Sequence, residues 1–468
     1  MPEPQSLPDG RFDTADQARW SLPTRIAFRF CFCYFLPLGV NCFFINADIV
    51  HYFTGSKFWD LSHIDPWLLT LPWICRHIFN VQKKIFIYPE GDYLSAYLQH
   101  VFELILTVVI TVVWSILDRK RPNYRRLYAW FTLFLRCMLA ITLFGYGFDK
   151  VFPLQFGDVT PDRLSRPLGS TDMFNLLWTF MAASKPYTIF SGALEVLAGV
   201  LLLLPRMEML GAFLSVAVLS NVFVLNMDYG VPVKLYSSHL LMISVFLALP
   251  AILRVFNLLV LRRTTSPITR STLSKKPWID RTASIAILTL TVAVGLSTFF
   301  ACWIRYKKLQ AAAVAAESAP FHGMWTADSF TVSGPGTPAS SAPQPASPQS
   351  LFTPKLEKEY RVSPGQDHWL GLIFSAPKRM TILLNDGVTD GVDLSGSSNA
   401  NTGQVQVTDS DDSAWKATLS IQQPGKDLLS VEGIVNGVPI SAKFHRKDLA
   451  SFPLTQEKFQ FIRDEPGN

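Results

Sequence analysis

The chain has 468 residues, of which 49% are hydrophobic and only 17% are charged, and its formal net charge at pH 7 is +6. Soluble domains carry about 25% charged residues, so the composition disfavours an ordinary soluble protein. The positive charge does not indicate nucleic-acid binding, because basic residues crowd two short loops beside apolar segments, at 118–126 and 259–281. The predicted partner is therefore a lipid bilayer.

Seven apolar segments are long enough to span a bilayer, which takes about 20 helical residues. They follow a polar tail at 1–24 and occupy 25–48, 97–117, 127–148, 186–205, 208–226, 235–258 and 282–303. No cleavage signature ends the polar tail, so the first segment is interpreted as a retained span. Residues 66–79 are too short to span, and their two tryptophans favour an interfacial or re-entrant helix.

The two basic loops predict the orientation of these spans. Short loops rich in Lys and Arg stay in the cytoplasm, so both loops should be cytoplasmic. Seven spans connected in order then place the N-terminus in the cytoplasm and the C-terminal domain outside it. The predicted organisation is an N-terminal membrane region at 25–126, a four-helix membrane domain at 127–258, and a basic loop with the seventh span at 259–308.

The composition changes after residue 309, where short strand-like segments recur between turn residues such as Asn385-Asp386-Gly387 and Asn436-Gly437. This pattern predicts a soluble antiparallel β barrel or sandwich at 318–468. A Ser/Pro/Ala-rich stretch at 333–350 predicts a disordered insertion. Gly323-x-Trp325 is similar to the opening motif of lipocalin-like barrels, and a Trp buried only for packing would give the same residues.

Ionisable groups inside apolar segments mark the candidate site, because each costs roughly 2.5–3.5 kcal/mol at membrane depth. The candidate polar cluster comprises Arg136, Lys150, Glu195, Glu103, His100, Asp149, Asn226, Asp228, Lys234 and His239. Arg136 and Glu195 each lie about 14 Å from the end of their spans, so we predict that they pair near the midplane. Such a pair would either fix helix register or line a functional cavity. The histidines fit packing positions as well as functional ones.

No catalytic residue or metal site is evident in the sequence. The six cysteines lie in or beside apolar segments, with no CxxC motif and no metal-ligand spacing. They fit small buried hydrophobic positions rather than a disulfide framework. Haem, iron–sulfur and dinucleotide-binding patterns are also not evident.

Two segments, LRCMLAITLFGYGFDKVF and GALEVLAGVLLLLPRMEMLGAF, resemble the DoxX family of four-helix membrane proteins. The residues at matching positions are Arg136, Gly147, Lys150, Glu195, Gly199 and Arg206. The resemblance covers about 127–258. The whole arrangement, with extra N-terminal spans and a C-terminal β domain, is similar to bacterial DoxX-like membrane proteins. It implies a multi-pass protein of the bacterial inner membrane.

The resemblance also implies possible functions. DoxX proteins have been linked to quinone-coupled oxidation of sulfur compounds and to oxidative-stress responses, so we expect a quinone-linked redox subunit that works with a redox partner protein. A bound quinone or that partner would carry the electrons. One alternative is a non-enzymatic membrane anchor whose β domain binds a partner or ligand. A small-solute or lipid transporter is the other alternative, although no inverted repeat or broken-helix pair is evident.

Overall fold

The computed structural model describes residues 19–54, 66–82, 91–264, 273–274, 276–332, 369–376, 379–384, 389–398, 402–408 and 416–456. The chain divides into two compact units. The first comprises Met1–Gln155 and Pro186–Arg305, and the second comprises Phe156–Lys185 and Tyr306–Asn468. The predicted insertion at 333–350 and the Asn385-Asp386-Gly387 turn lie outside the described residues.

The described helices are numbered in chain order. They are α1 Leu22–Thr54, α2 Pro66–His77, α3 Leu94–Leu117, α4 Arg125–Val151, α5 Pro161–Ser165, α6 Met173–Ala183, α7 Lys185–Leu203, α8 Glu208–Asp228, α9 Lys234–Leu259, α10 Pro277–Glu317 and α11 Pro453–Gln456. Within the described residues, six of them are long and apolar enough to cross a membrane: α3, α4, α7, α8, α9 and α10. Six of the seven predicted spans are thereby confirmed. The first lies on α1, whose side chains are described only as far as Phe44.

Helix α3 gives the clearest indication that the first unit is surrounded by lipid. Its buried residues are polar and recur every four positions, namely Ser95, Gln99, Glu103, Thr107 and Thr111. Its exposed side chains are aliphatic, among them Ile105 and Val109. A water-soluble helix has the opposite arrangement. The polar stripe faces the protein, and the aliphatic surface suits a hydrocarbon surrounding.

Helix α4 is the most enclosed of the six membrane-length helices in the described part of the chain. Leu135, Leu139 and Ala140 are almost completely buried in the core of the first unit. Helix α1 packs against α3 and α4, and α9 packs against α4 and α8. Because α4 is surrounded on several sides, its polar side chains reach neighbouring helices rather than lipid.

Buried arginines of α1 hold the loop that connects α3 to α4. Arg25 donates to the carbonyl oxygens of Arg119 and Arg121 at 3.0 and 2.8 Å. Arg29 donates to the hydroxyl of Tyr124 and to the carbonyl oxygen of Asp118. These contacts give both guanidinium groups acceptors near the end of the bundle, where apolar packing alone would leave them unsatisfied.

The second unit contains an eight-stranded antiparallel β barrel, which confirms the predicted β domain and decides between barrel and sandwich. Its strands are β1 Gly323–Val332, β2 Trp369–Ala376, β3 Arg379–Leu384, β4 Thr389–Ser398, β5 Thr402–Thr408, β6 Lys416–Gly425, β7 Leu428–Val435 and β8 Val438–Lys447. Each strand pairs with the next, and β1 closes the barrel by pairing with β8. Buried and exposed residues alternate strictly along β5, as expected for a strand with one face inside a barrel.

Aromatic residues fill the core of this barrel. Trp325, Trp369 and Phe444 are at most 1% exposed. The indole N–H of Trp325 donates to the carbonyl oxygen of Phe321 at 2.8 Å. The guanidinium carbon of Arg446 lies 5.2 Å from the Trp325 ring centroid, within cation–π range. Trp325 of the predicted motif is therefore buried at the junction of the first and last strands.

The stretch Phe156–Lys185 groups with the barrel, although it lies within the 127–258 range predicted as a single membrane domain. Within this stretch, the hydroxyl of Ser165 donates to the sulfur of Met324 on β1 at 3.5 Å. Its helix α6 is capped by Asp172, whose carboxylate accepts the backbone N–H of Asn175. That hydrogen bond holds the pKa of Asp172 below its ordinary value. The hydropathy pattern did not predict this separation, because the stretch is short and lies between two spans.

The predicted Asn436-Gly437 turn joins β7 to β8 and generates a stability prediction. Both residues have positive φ, 48° and 81°, as a two-residue hairpin turn of the I′ type requires. Gly437→Ala should destabilise the fragment 318–468 by roughly 1–2 kcal/mol, because a side chain is strained in this conformation. Thermal unfolding followed by circular dichroism should show the wild-type fragment melting cooperatively and the variant melting several degrees lower.

Gly425→Ala is the matched control for this prediction. A Cβ at either glycine would meet nothing within 4 Å, but only Gly437 has a positive φ. The control should therefore change stability by less than about 0.5 kcal/mol. Equal effects of the two substitutions would contradict the assigned turn, and a wild-type fragment without a cooperative melt would contradict independent folding of the barrel.

Candidate functional site

An ion pair between Lys150 of α4 and Glu195 of α7 lies inside the helical unit. The Nζ atom of Lys150 lies 2.9 Å from both carboxylate oxygens of Glu195. The two side chains are only 8% and 4% exposed. A charge buried without a counter-charge would cost several kcal/mol, and this contact supplies the counter-charge for each group.

The prediction that Glu195 pairs with Arg136 was wrong. Arg136 instead donates from Nε and Nη2 to the carbonyl oxygen of Leu202, at 2.9 and 2.6 Å. Leu202 lies one residue before the end of α7, where carbonyl groups lack helical partners and carry partial negative charge. Arg136 therefore stabilises the C-terminal end of the helix that carries Glu195.

Two glycines bring Lys150 and Glu195 together. A Cβ at Gly192 would lie 2.5 Å from the carbonyl oxygen of Gly147, and one at Gly147 would lie 2.9 Å from the carbonyl oxygen of Gly192. Both distances are too short for any side chain, so α4 and α7 are in backbone contact here. Lys150 and Glu195 each lie three residues after one of these glycines, which is close to one helical turn.

Asp149 faces a different helix from its neighbour Lys150. The thiol of Cys302 on α10 donates to Oδ1 of Asp149 at 3.6 Å. The end of α4 thus presents a cation toward α7 and a carboxylate toward α10. None of the six cysteines, all of which lie among the described residues, forms a disulfide bond.

A second group of polar side chains joins three helices, and we call Tyr34, His239, His100 and Glu103 the histidine chain. The hydroxyl of Tyr34 on α1 lies 2.9 Å from Nε2 of His239 on α9. The rings of His239 and His100 have centroids 4.2 Å apart. Nδ1 of His100 on α3 lies 2.7 Å from Oε2 of Glu103. Four titratable groups therefore follow one another through the unit.

The hydrogen-bond partners assign proton positions within the histidine chain. Nδ1 of His239 lies 2.7 Å from the carbonyl oxygen of Leu235. A carbonyl only accepts, so Nδ1 carries a proton and Nε2 of the neutral ring accepts the hydroxyl of Tyr34. The second oxygen of Glu103 accepts from Nε2 of Gln99 at 3.0 Å. Both oxygens of Glu103 are thus held by neighbours on α3.

Aromatic residues connect the ion pair to the histidine chain. Nζ of Lys150 lies 5.6 Å from the ring centroid of Tyr146, and the rings of Tyr146 and Tyr236 have centroids 6.3 Å apart. Tyr236 lines a cavity of about 20 Å³ together with Asn41, His100 and His239. A polar cavity of this size has room for about one water molecule.

The remaining predicted site residues lie elsewhere. Lys234 begins α9 and contacts Asp92, whose Oδ2 and Oδ1 accept the backbone N–H groups of Lys234 and Leu235 at 2.9 and 3.0 Å. This is a helix cap made by a residue distant in sequence. Asn226 is buried in the last turn of α8, whereas Asp228 is exposed at its end. The predicted single cluster is therefore divided among several contacts.

Four residues that take part in these polar contacts were not predicted from the sequence, namely Tyr34, Gln99, Asp92 and Cys302. The period-four polar stripe of α3 was a readable signal for Gln99. The other three stand in segments without a distinguishing pattern, so only the fold reveals their contacts. Within the described part of the chain, no group of three or more His, Cys, Asp or Glu residues is placed to hold a metal ion.

Comparisons with known proteins identify one relative. No family model and no solved structure matches this chain. It is 37% identical over 112 residues to the uncharacterised protein YwoB of Bacillus subtilis (strain 168), a match that covers 24% of this chain and 71% of YwoB. The chain belongs to the same family as YwoB. Membership assigns no activity, because YwoB is itself described as uncharacterised.

The Lys150–Glu195 pair should show thermodynamic coupling. Glu195→Gln should lower the free energy of unfolding in detergent by roughly 3–5 kcal/mol, because Lys150 is left buried without a counter-charge. Adding Lys150→Gln should restore part of that loss. Thermal denaturation of the purified full chain and its single and double variants provides the measurement.

Arg136→Gln supplies the control for this cycle. Its Nε and Nη2 atoms donate to Leu202 rather than to Glu195, so its effect should add to that of Glu195→Gln within about 0.5 kcal/mol. A coupling between Arg136 and Glu195 as large as that between Lys150 and Glu195 would overturn the assignment.

Proposed function

We propose that this protein is a quinone-linked redox subunit of a bacterial inner membrane, with the histidine chain as its proton-handling site. The observation that carries the proposal is the run of four titratable side chains across α1, α9 and α3. Packing alone does not require Tyr34, His239, His100 and Glu103 to be adjacent at a depth where polar groups are expensive. Adjacent groups that can donate and accept protons are what quinone chemistry requires.

The residues present fit a quinone ring. A cleft of about 550 Å³ lies between α1, α2 and α3, and its lining is almost entirely apolar, including Pro37, Trp67, Trp73 and Phe102. Helices α1 and α3 carry both this cleft and three members of the histidine chain. Such a surface would accept an aromatic ring and an isoprenoid tail. His100 is 17% exposed, so its imidazole remains accessible from one side.

A bound quinone would supply two-electron, two-proton redox chemistry. The protein's contribution would be to orient the ring and to exchange protons at defined atoms. Glu103 accepts a hydrogen bond from Nδ1 of His100, and His239 accepts one from Tyr34 through Nε2. Electrons would be exchanged with a redox partner protein.

We further propose that α4, α7, α8 and α9 form a DoxX-like four-helix unit. Three of the positions that resemble the family, Gly147, Lys150 and Glu195, lie within one contact region between α4 and α7. Arg136, a fourth, donates to the end of α7. These four residues were matched to the family from the sequence alone, and their closeness to the contact between α4 and α7 supports the resemblance.

Bound-lipid analysis should test the redox proposal. The full chain purified in mild detergent should retain a stoichiometric quinone, detected by solvent extraction and mass spectrometry. His100→Leu should lower that amount, because it removes the accessible imidazole while keeping an apolar side chain. Asp228→Asn, a change at an exposed residue of α8, should leave the amount unchanged.

Two results would contradict the proposal. One is a wild-type protein without quinone after purification from quinone-containing membranes. The other is equal quinone retention by wild type and His100→Leu. Either would favour the alternative of a membrane anchor that presents the β barrel to a partner.

The proposed orientation gives a separate prediction. The loop 118–126 and the loop 259–281 should be cytoplasmic, with the N-terminus, and the barrel should be extracytoplasmic. Five membrane-length helices separate Arg126 from Lys308, namely α4, α7, α8, α9 and α10. The count includes α4, which begins one residue before Arg126, and α10, which contains Lys308. Reporter fusions after these two residues should therefore score on opposite sides. Reporters on the same side would exclude this arrangement.

A further inference from the structure

A second polar cavity lies at the end of the bundle that carries the turn between α7 and α8. It has a volume of about 280 Å³ and is formed by α4, α8, α9, α10 and Leu273. Its charged lining consists of Arg136, Arg254, Glu208 and Asp280. This lining combines two cations with two carboxylates, so it is electrically balanced and suits neither a simple anion nor a simple cation.

Glu208 supplies an independent indication that the cavity takes a ligand. Its Oε2 atom is buried and has no hydrogen-bond partner among the described residues. A buried carboxylate oxygen without a donor costs free energy, which a ligand donor would recover. Glu208 as a residue is half-buried, whereas Glu103 and Glu195 are buried carboxylates of the first unit, and both of these accept hydrogen bonds.

The position of the cavity points to the polar–apolar boundary of the membrane. Glu208 is the first residue of α8, and Asp280 lies in the first turn of α10. Arg254 is five residues before the end of α9. Apolar residues such as Met209, Leu247 and Pro250 complete the lining. Lipid headgroups occupy this level, and their acyl chains continue into the hydrocarbon region.

We propose that this cavity binds the headgroup of a phosphoethanolamine lipid. The phosphate would accept hydrogen bonds from Arg254 and be attracted by Arg136, since arginine is the preferred side chain for phosphate. The primary ammonium would donate to Oε2 of Glu208. A quaternary ammonium has no N–H to donate, and a glycerol headgroup has no positive charge. The mixed lining therefore selects phosphatidylethanolamine over phosphatidylcholine and phosphatidylglycerol.

The test uses the full chain in nanodiscs of equal parts phosphatidylethanolamine, phosphatidylcholine and phosphatidylglycerol. Lipids released with the protein by native mass spectrometry should be enriched in phosphatidylethanolamine. Glu208→Gln should lower the preference over phosphatidylcholine by about tenfold, because a charge-assisted hydrogen bond is lost. Arg254→Gln should reduce retention of all three lipids.

Two matched controls separate the cavity from general surface charge. Asp228→Asn removes a carboxylate from the other end of α8, and Arg263→Gln removes a cation from an exposed position nine residues after Arg254 in the sequence. Neither should change the lipid profile. Thermal denaturation of each variant checks that the bundle remains folded.

Three outcomes would overturn the proposal. Phosphatidylglycerol could be retained as strongly as phosphatidylethanolamine, which would indicate an anion site. Glu208→Gln could leave the preference unchanged. Soluble phosphoethanolamine could bind without competition from added phosphatidylethanolamine, which would indicate a small-molecule site rather than a lipid site.

Discussion

A polar group enclosed by apolar helices must find a partner within hydrogen-bond distance, and this constraint explains the main polar contacts of the helical unit. Lys150 and Glu195 satisfy it with each other. Arg136 satisfies it with the carbonyl oxygen at the end of α7. Asp92 satisfies it with the unpaired N–H groups at the start of α9. Each solution also joins two segments that are distant in sequence, so neutralising these groups fixes the arrangement of the helices.

The stagger of α4 and α7 explains why composition predicted the spans and missed the ion pair. Glu195 lies ten residues after the start of α7, whereas Lys150 lies one residue before the end of α4. Gly192 and Gly147, which are in contact, lie seven residues after the start of α7 and four residues before the end of α4. Helix α7 therefore begins about 5 Å beyond the level at which α4 ends. The prediction assumed that both helices end at a common surface, which made Arg136 the cation of matching depth. Hydropathy does not indicate how far one helix is shifted along its neighbour, because that shift is set by the Gly147–Gly192 contact.

The barrel was more predictable because its determinants are local. Strand alternation and the Asn436-Gly437 turn depend on neighbouring residues, and both occur as expected. The closure between β1 and β8 joins residues more than a hundred positions apart. Sequence alone left barrel and sandwich open, since both have the same strand pattern.

The inward polar stripe of α3 reverses the usual relation between hydropathy and tolerance to substitution. At Gln99 or Thr107, an aliphatic replacement would remove hydrogen-bonding capacity from the interior of the bundle. At Ile105 or Val109, exchange of one aliphatic side chain for another leaves an apolar surface unchanged in character. Sequence drift in this helix should therefore accumulate at its most hydrophobic positions. Scoring schemes trained on water-soluble proteins would rank these same positions as the least replaceable.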